Sequence, residues 1–428
     1  MAYFIVVFLL LLPQASYAYL DPGSGSVLVS VIVALLAAAF YFLKSFFYEK
    51  LRFLFKKQSP VHKEDYDLVF YSEGGQYWNV FLPILRELDR RGQRIVYLTS
   101  DPRDAGLSSG LEHVEAMDIR EGHQAYYVLN RLSAGLMVMT TPGLDVLQIK
   151  RSKKVGHYCH IVHGLEDTST YPPYGVDYYD SVLVNGRHQE EVIRALEAAR
   201  GSRKKQVKII GSTYLDVMLE ELEATPTDTL AVQAGRQTVL LAPSWGEKGF
   251  LSKFGEELLE NILEEDLNII LRPHPQSYTA EADLLKDLKK RFAGNDKLVW
   301  DENPSGLEAM QKSDIMISDF SGIIFDYIFL FGKPVIVTDF KVDPRKFDMN
   351  GLPEKQSTLM GLIKEDKIGY QLKEDEHRRI GAVVKQVLQD NRYAGYIEDL
   401  KKTVWLYPRE SGKRGADFIE KVLKDVRR

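Results

Sequence analysis

From Asp67 onward, short runs of apolar, largely β-branched residues alternate with longer amphipathic stretches, and this rhythm restricts the chain to one kind of architecture. Asp67–Tyr71, Arg94–Leu98, Gly135–Met139, Val182–Val184 and Lys208–Ile210 read as buried strands. A polar stretch from Glu221 to Gln237, rich in Thr, Glu and Ala, interrupts the pattern. It resumes with Thr238–Ala242, Asn268–Leu271, Lys297–Trp300, Ile315–Ile317 and Val335–Val337. Strands that are apolar throughout and separated by helices form a parallel sheet covered on both faces. Two successive α/β halves are therefore expected, at residues 65–225 and 226–428. Each is long enough to bury its own core. Two doubly wound halves place a ligand cleft between them, at the carboxyl ends of the strands.

Composition narrows the function. The 428 residues carry a net charge of −5, and residues 1–57 hold five Lys/Arg against two acids, so the remainder is at −8. A body that acidic is a poor general nucleic-acid binder, and no nucleic-acid partner is expected. The single cysteine, Cys159, can form neither an intramolecular disulfide nor a cysteine-based zinc site, which fits a reducing compartment.

The N-terminus reads as membrane-associated. Tyr3–Leu12 is apolar but too short to span a bilayer, and Ser16-Tyr17-Ala18 after Pro13 offers small residues at the positions a signal peptidase requires. Residues 1–18 thus resemble a signal-peptide segment. No Lys or Arg lies near Met1, so an uncleaved hairpin segment stays open. A second apolar run, with its aromatic border, makes residues 26–48 a transmembrane helix. Lys50, Arg52, Lys56 and Lys57 then make 49–64 a basic juxtamembrane linker. The positive-inside bias places the α/β body on the cytoplasmic side of the cell membrane, as part of a single-pass protein.

Several sharp motifs are missing: there is no GxxxxGK[ST], no GxGxxG after a strand, no HExxH and no GxSxG. Asp65 and Asp67 have the form of an acidic metal pair but precede the first strand, where two solvated acids account for them. Three other segments carry more chemistry. In Ile317–Pro334 a strand ends at Ser318, the capping residues Asp319 and Ser321 and then Gly322 come next, and an apolar helix containing Asp326 runs to Gly332. A helix start at a strand's carboxyl edge suits a phosphate. In Leu271–Pro275, Arg272 can bind phosphate bidentately and His274 can donate a hydrogen bond or a proton, on a turn stiffened by two prolines. In His157–Gly164, three histidines at three-residue spacing invite a metal reading, but on a strand they alternate faces. His163, with backbone room at Gly164, reads instead as a base facing the cleft. No metal and no cofactor is assigned.

These residues together resemble the CDP-glycerol glycerophosphotransferase family, enzymes that build teichoic-acid-type polyol-phosphate polymers. The resemblance runs from about Lys153 to the C-terminus. The family's His-Gly is matched at His163-Gly164, its Ala-Pro-Thr-Trp at Ala242-Pro243-Ser244-Trp245, and its Arg-x-His-Pro at Arg272–Pro275. Its Ser-Asp-Tyr-Ser-Ser-x-x-x-Asp block is matched at Ser318–Asp326, and its closing helix by Gly412–Ala416 and the residues after it. Ser244 stands in place of Thr, and Gly322 in place of the second Ser, which could signal a different polyol or head group. Family members are typically peripheral, so a spanning helix is a further departure.

The resemblance implies a GT-B-like fold, in which two Rossmann-like domains face a central cleft, here preceded by a membrane segment. It implies transfer of glycerol phosphate from CDP-glycerol, or another CDP-polyol, to a hydroxyl on a lipid-linked acceptor, with release of CMP. His163 would be the general base. Arg272 and His274 would hold the pyrophosphate and the leaving CMP. Asp319, Ser321 and the helix start would bind donor phosphate or the polyol, and Gly164, Ser244, Trp245, Ser318, Gly322 and Asp326 would complete the substrate site. Two other readings share the architecture: a UDP-sugar glycosyltransferase or epimerase, and a non-catalytic membrane-bound binding module.

Overall fold

The computed structural model describes residues 65–427, apart from 225–227, 248, 304, 320, 339–343, 354–356 and 391, together with Leu35 and Leu36, which are helical. The signal-like segment 1–18, the expected transmembrane helix 26–48 and the basic linker 49–64 lie otherwise outside the described residues. Among the described residues, no helix is long and apolar enough to cross a membrane.

Among the described residues, thirteen strands form two all-parallel sheets. The first contains β1 (Tyr66–Ser72), β2 (Ile95–Thr99), β3 (Val114–Asp118), β4 (Ala134–Met139), β5 (Val155–Ile161), β6 (Ser181–Val184) and β7 (Gln206–Ile209), in the order β3-β2-β1-β4-β5-β6-β7. The second contains β8 (Thr238–Ala242), β9 (Asn268–Leu271), β10 (Leu298–Trp300), β11 (Ile315–Ser318), β12 (Val335–Thr338) and β13 (Tyr370–Leu372), in the order β10-β9-β8-β11-β12-β13. Each sheet starts at its centre, winds outward, then reverses. The crevice this creates lies between β1 and β4 in one lobe and between β8 and β11 in the other, and such reversal points are where doubly wound sheets hold ligands. Strands β2, β8, β9, β11 and β12 are buried along their whole length, as a sheet covered on both faces requires.

Six helices shape the cleft and join the lobes: α1 (Trp78–Arg90), α2 (Arg187–Arg200), α3 (Thr213–Ala224), α4 (Phe250–Glu264), α5 (Ile323–Phe331) and α6 (Ser411–Val426). Helix α5 buries Ile324, Phe325, Tyr327, Ile328 and Phe329 and stops at Gly332, whose φ of 67° suits glycine and whose N–H donates back to Ile328.

The division at residue 226 does not describe the end of the chain. Helix α6 leaves the second lobe and packs along α1 of the first, adding Ala416, Ile419, Val422 and Leu423 to the core formed by Leu68, Phe70, Phe81 and Leu85. The apolar stripe of α6 needs a cover, and α1 supplies one at close range. A Cβ on Gly412 would lie 2.5 Å from the Pro83 carbonyl oxygen, and one on Gly415 2.6 Å from Ile84 Cδ1. Asp216 on α3 fixes the entry, accepting from the Arg409 N–H at 2.6 Å, the Ser411 N–H at 3.1 Å and the Ser411 hydroxyl at 2.5 Å. Truncating the fully buried Ile419 to Ala should cost about 3 kcal/mol of stability, as core Ile→Ala changes do, measured by urea unfolding.

Candidate active site

Four strand ends deliver the residues singled out by sequence. In the second lobe, β8 runs into Ser244-Trp245, β9 into Arg272 and His274, and β11 into Asp319, Ser321 and Gly322. In the first lobe, β5 runs into His163-Gly164.

Two of these side chains build the site rather than face a ligand. The Ser318 hydroxyl donates to the Ala242 carbonyl at 2.6 Å, across the β8–β11 pair. Buried Asp319 accepts from the Ser244 N–H at 2.8 Å with one oxygen and from the Phe250 N–H at 3.1 Å with the other. It thereby ties β11 to the loop after β8 and caps α4 from outside. That loop turns through Gly246, at φ 98°, where glycine is needed, and presents Trp245 half-exposed, 6.5 Å from the His274 ring.

His274 accepts the Gln276 N–H on Nδ1 at 3.1 Å, so its neutral form carries the proton on Nε2. Burial pushes its pKa down, against the opposing pull of Asp319 and Glu281. Arg272 is anchored by its Nη1, which donates to buried Asp301 at 2.6 Å and to the Asn303 carbonyl at 2.8 Å. Among the described residues no side chain caps the start of helix α5 at Gly322; the Ile324 and Phe325 N–H groups donate to the Ser321 and Gly322 carbonyls at 3.3 and 3.0 Å, so the start offers chiefly the positive end of the helix beside Ser321.

His163 sits on the other wall, partly buried. Tyr77 packs edge-on against it at 5.2 Å, and the Tyr171 ring lies parallel to it, with the hydroxyl 3.4 Å from Nδ1. The same hydroxyl is 3.2 Å from Nε2 of buried His160. Burial pushes His163 down to about 4, which keeps it neutral at physiological pH. His157 bonds Ser181 at 2.9 Å instead, so the three histidines do not converge. Side chains from the start of α2 hold the loop after His163: the Gly164 carbonyl accepts from Asn185 at 2.6 Å and Gln189 at 2.9 Å, and the Glu166 carbonyl accepts from Gln189 at 2.8 Å. Asp167 joins the loop to the second lobe through the Leu359 N–H at 3.0 Å.

Glu166, which motif reading passes over, stands where the walls meet. A Cβ on Gly164 would collide with its carboxyl, and a Cβ on Gly322 would come within 3.5 Å of it. Asp326, one helical turn beyond Gly322, is pushed up to about 8, first by burial and then by the charge of Glu166. Burial raises the pKa of the nearby Tyr214 hydroxyl, with the charges of Asp326 and Glu221 adding to the rise and that of Arg272 opposing it. The only sequence sign was the acidic pair Glu166-Asp167 just after His163-Gly164. A cavity of about 150 Å³ opens nearby at the β1–β4 reversal, lined by Glu73, Tyr126, Thr141 and Leu147 among others; burial, and after it the charge of Glu73, raises the pKa of Tyr77, the neighbour of His163.

Two all-parallel sheets whose strand ends carry His163, Arg272, His274 and the start of α5 make a doubly wound, two-lobed protein of the class that holds ligands at its strand carboxyl ends. The chain belongs to the CDP-glycerol:poly(glycerophosphate) glycerophosphotransferase family, whose model matches residues 76–347, and it is a glycerophosphotransferase. The match starts far upstream of Lys153 and stops short of Gly412, so the family region includes most of the first lobe and excludes α6. Among solved structures, the wall teichoic acid polymerase TagF soaked with CDPG is similar in fold, with a TM-score of 0.53 and 16% identity over 84% of this chain and 89% of that one. The UDP-GlcNAc 2-epimerases of Methanocaldococcus jannaschii and Neisseria meningitidis each reach a TM-score of 0.54, at 13% and 15% identity, over 84% of this chain and all of theirs. No curated protein sequence matches the chain.

The elevated Asp326 has a consequence for stability. Its folded pKa lies above the ordinary 3.8, so the folded protein keeps a proton that the unfolded chain releases. Its stabilising contribution is therefore full at low pH and is lost as pH rises from about 4 to about 8. Asp326→Asn should flatten that loss, and its melting temperature should fall less than the wild type's between pH 5 and 8.

Proposed function

We propose that the enzyme transfers glycerol phosphate, or a related polyol phosphate, from CDP-glycerol to a hydroxyl on a membrane-linked acceptor, releasing CMP, in the synthesis of a teichoic-acid-type cell-surface polymer. What supports this reading is the family match over residues 76–347 together with neutral His163, three residues before the Glu166 whose carboxyl lies beside Gly322 at the start of α5. A base on one wall and a phosphate-binding helix start on the other are what in-line attack of a hydroxyl on phosphorus requires. His163 takes the acceptor proton as the new O–P bond forms, and the bond between the transferred phosphate and CMP breaks. Tyr171 restricts the ring and contacts Nδ1, leaving Nε2 for the acceptor. Arg272, held rigid by Asp301, and the Nε2–H of His274 stabilise charge on the departing CMP. The α5 start beside Ser321 receives donor phosphate, while Ser318 and Asp319 shape the pocket and Ser244 and Trp245 border it. Positioning and charge stabilisation do most of the work in such transfers.

The fold likeness to UDP-GlcNAc 2-epimerases favours one alternative, a UDP-sugar enzyme, and donor screening separates the two. With full-length protein in detergent, CDP-glycerol, CDP-ribitol or UDP-sugars and a lipid-linked acceptor, ³¹P NMR should show CMP release from a CDP-polyol; UDP release would overturn the reading. His163→Ala and His274→Ala should each lower turnover by about a hundredfold or more, with melting temperature kept. Since His163 is neutral down to about 4, kcat/KM should lose activity on the acid side near that pH rather than near 6.5.

The apolar run at 26–48 and its basic flank support anchorage to the cell membrane, with the catalytic body cytoplasmic. The full chain should sediment with membranes and resist carbonate extraction; release by carbonate would rule out a spanning helix.

A further inference from the structure

The proposed reaction leaves one group in the middle of the site without a task. Glu166 reaches into the cleft from the loop after His163, beside the start of α5. Gly322 and Asp326 are four residues apart and share the helix face that meets it. Among the described residues, no side-chain or backbone donor from elsewhere in the chain satisfies the carboxyl oxygens of Asp326, and Glu166 takes none beyond its own backbone N–H. Protonated Asp326 offers one donor as well as acceptors, whereas the Glu166 carboxylate only accepts, so the pair needs O–H or N–H donors together with an acceptor from whatever fills the cleft. A phosphate could accept from Asp326 but offers Glu166 no donor, only a second negative charge. A polyol meets both needs, since each hydroxyl donates and accepts, and adjacent hydroxyls match the two oxygens of a carboxylate.

We infer that Glu166 is a specificity-determining residue that, with Asp326, hydrogen-bonds the hydroxyls of a polyol held between His163 and the start of α5, and that Gly322 leaves the space for it. The inference rests on the donor reading above and adds which part of the substrate lies at the meeting of the lobes. It also gives Gly322 a physical role. A serine there would set a hydroxymethyl group with its Cβ 3.5 Å from the Glu166 carboxyl, supply the missing donor from the protein, and take the substrate's place.

The polyol could come from the donor's glycerol or from the acceptor's terminal unit, and the experiment separates them. Calorimetric titration of the full-length chain in detergent would compare CDP-glycerol with CDP, and steady-state kinetics at saturating donor would give the acceptor KM. Glu166→Gln keeps the shape and removes the charge. It should weaken CDP-glycerol about tenfold while changing CDP less than twofold if the donor polyol is bound, or raise the acceptor KM about tenfold with donor affinity kept if the acceptor is. Gly322→Ser should shift the same quantity in the same direction, which keeps the test decisive if Glu166→Gln loses its folded melting transition. Equal weakening of CDP and CDP-glycerol, or no change in either substrate, would overturn the inference. Failure of the underlying reading is visible separately, as wild-type enzyme that releases no CMP from any CDP-polyol.

Discussion

Every strand in the two sheets runs parallel to its neighbours, and parallel strands can be joined only by crossovers that carry the chain back to the starting edge. All strand carboxyl ends therefore emerge on one side of each sheet. That single constraint gathers residues separated by more than 150 positions, from His163 to Asp326, without any local signal joining them. It also explains why the site is made of loops held from behind. Asp319, Asp301 and Gln189 each use partly buried hydrogen bonds to pin a loop that the strand ends merely deliver.

The electrostatics of the site follow from the burial of its titratable groups. Burial disfavours charge, so His163 and His274 are kept neutral, and Asp326 next to Glu166 holds its proton far above the usual carboxyl range. Neutral imidazoles can accept or donate a proton at a reacting oxygen, whereas imidazolium cations would bind phosphate and stay. Positive charge comes from elements that cannot lose it: a guanidinium clamped by Asp301 and the amide dipoles at the start of α5.

Much of the fold was legible because buried parallel strands have an unmistakable composition. The strands read from the sequence, β10 at Lys297–Trp300 among them, correspond to strands of the structure, while β3 and β13, only partly buried, carry weaker patterns. Helix α6 was legible as a helix but not as part of the first lobe, since an amphipathic stripe says that a cover exists and not which surface provides it. Residue roles were less legible. Ser318 and Asp319 look like ligand-binding polar residues at a helix start, yet their polar atoms are spent on backbone partners 69 to 76 positions away. Glu166 belongs to no motif, and only the approach of Gly322 from the other lobe gives it significance.

The class of architecture, the position of the reversal loops and the chemical types available there were already written in the linear chain, because burial periodicity and turn chemistry are properties of neighbouring residues. Which of those groups face the cleft, which are consumed in holding it, and that a carboxyl pair spans the two lobes were settled only in three dimensions. Those outcomes depend on distances between segments far apart in the chain, and such distances are set by how two sheets and their covering helices pack, which no local pattern encodes.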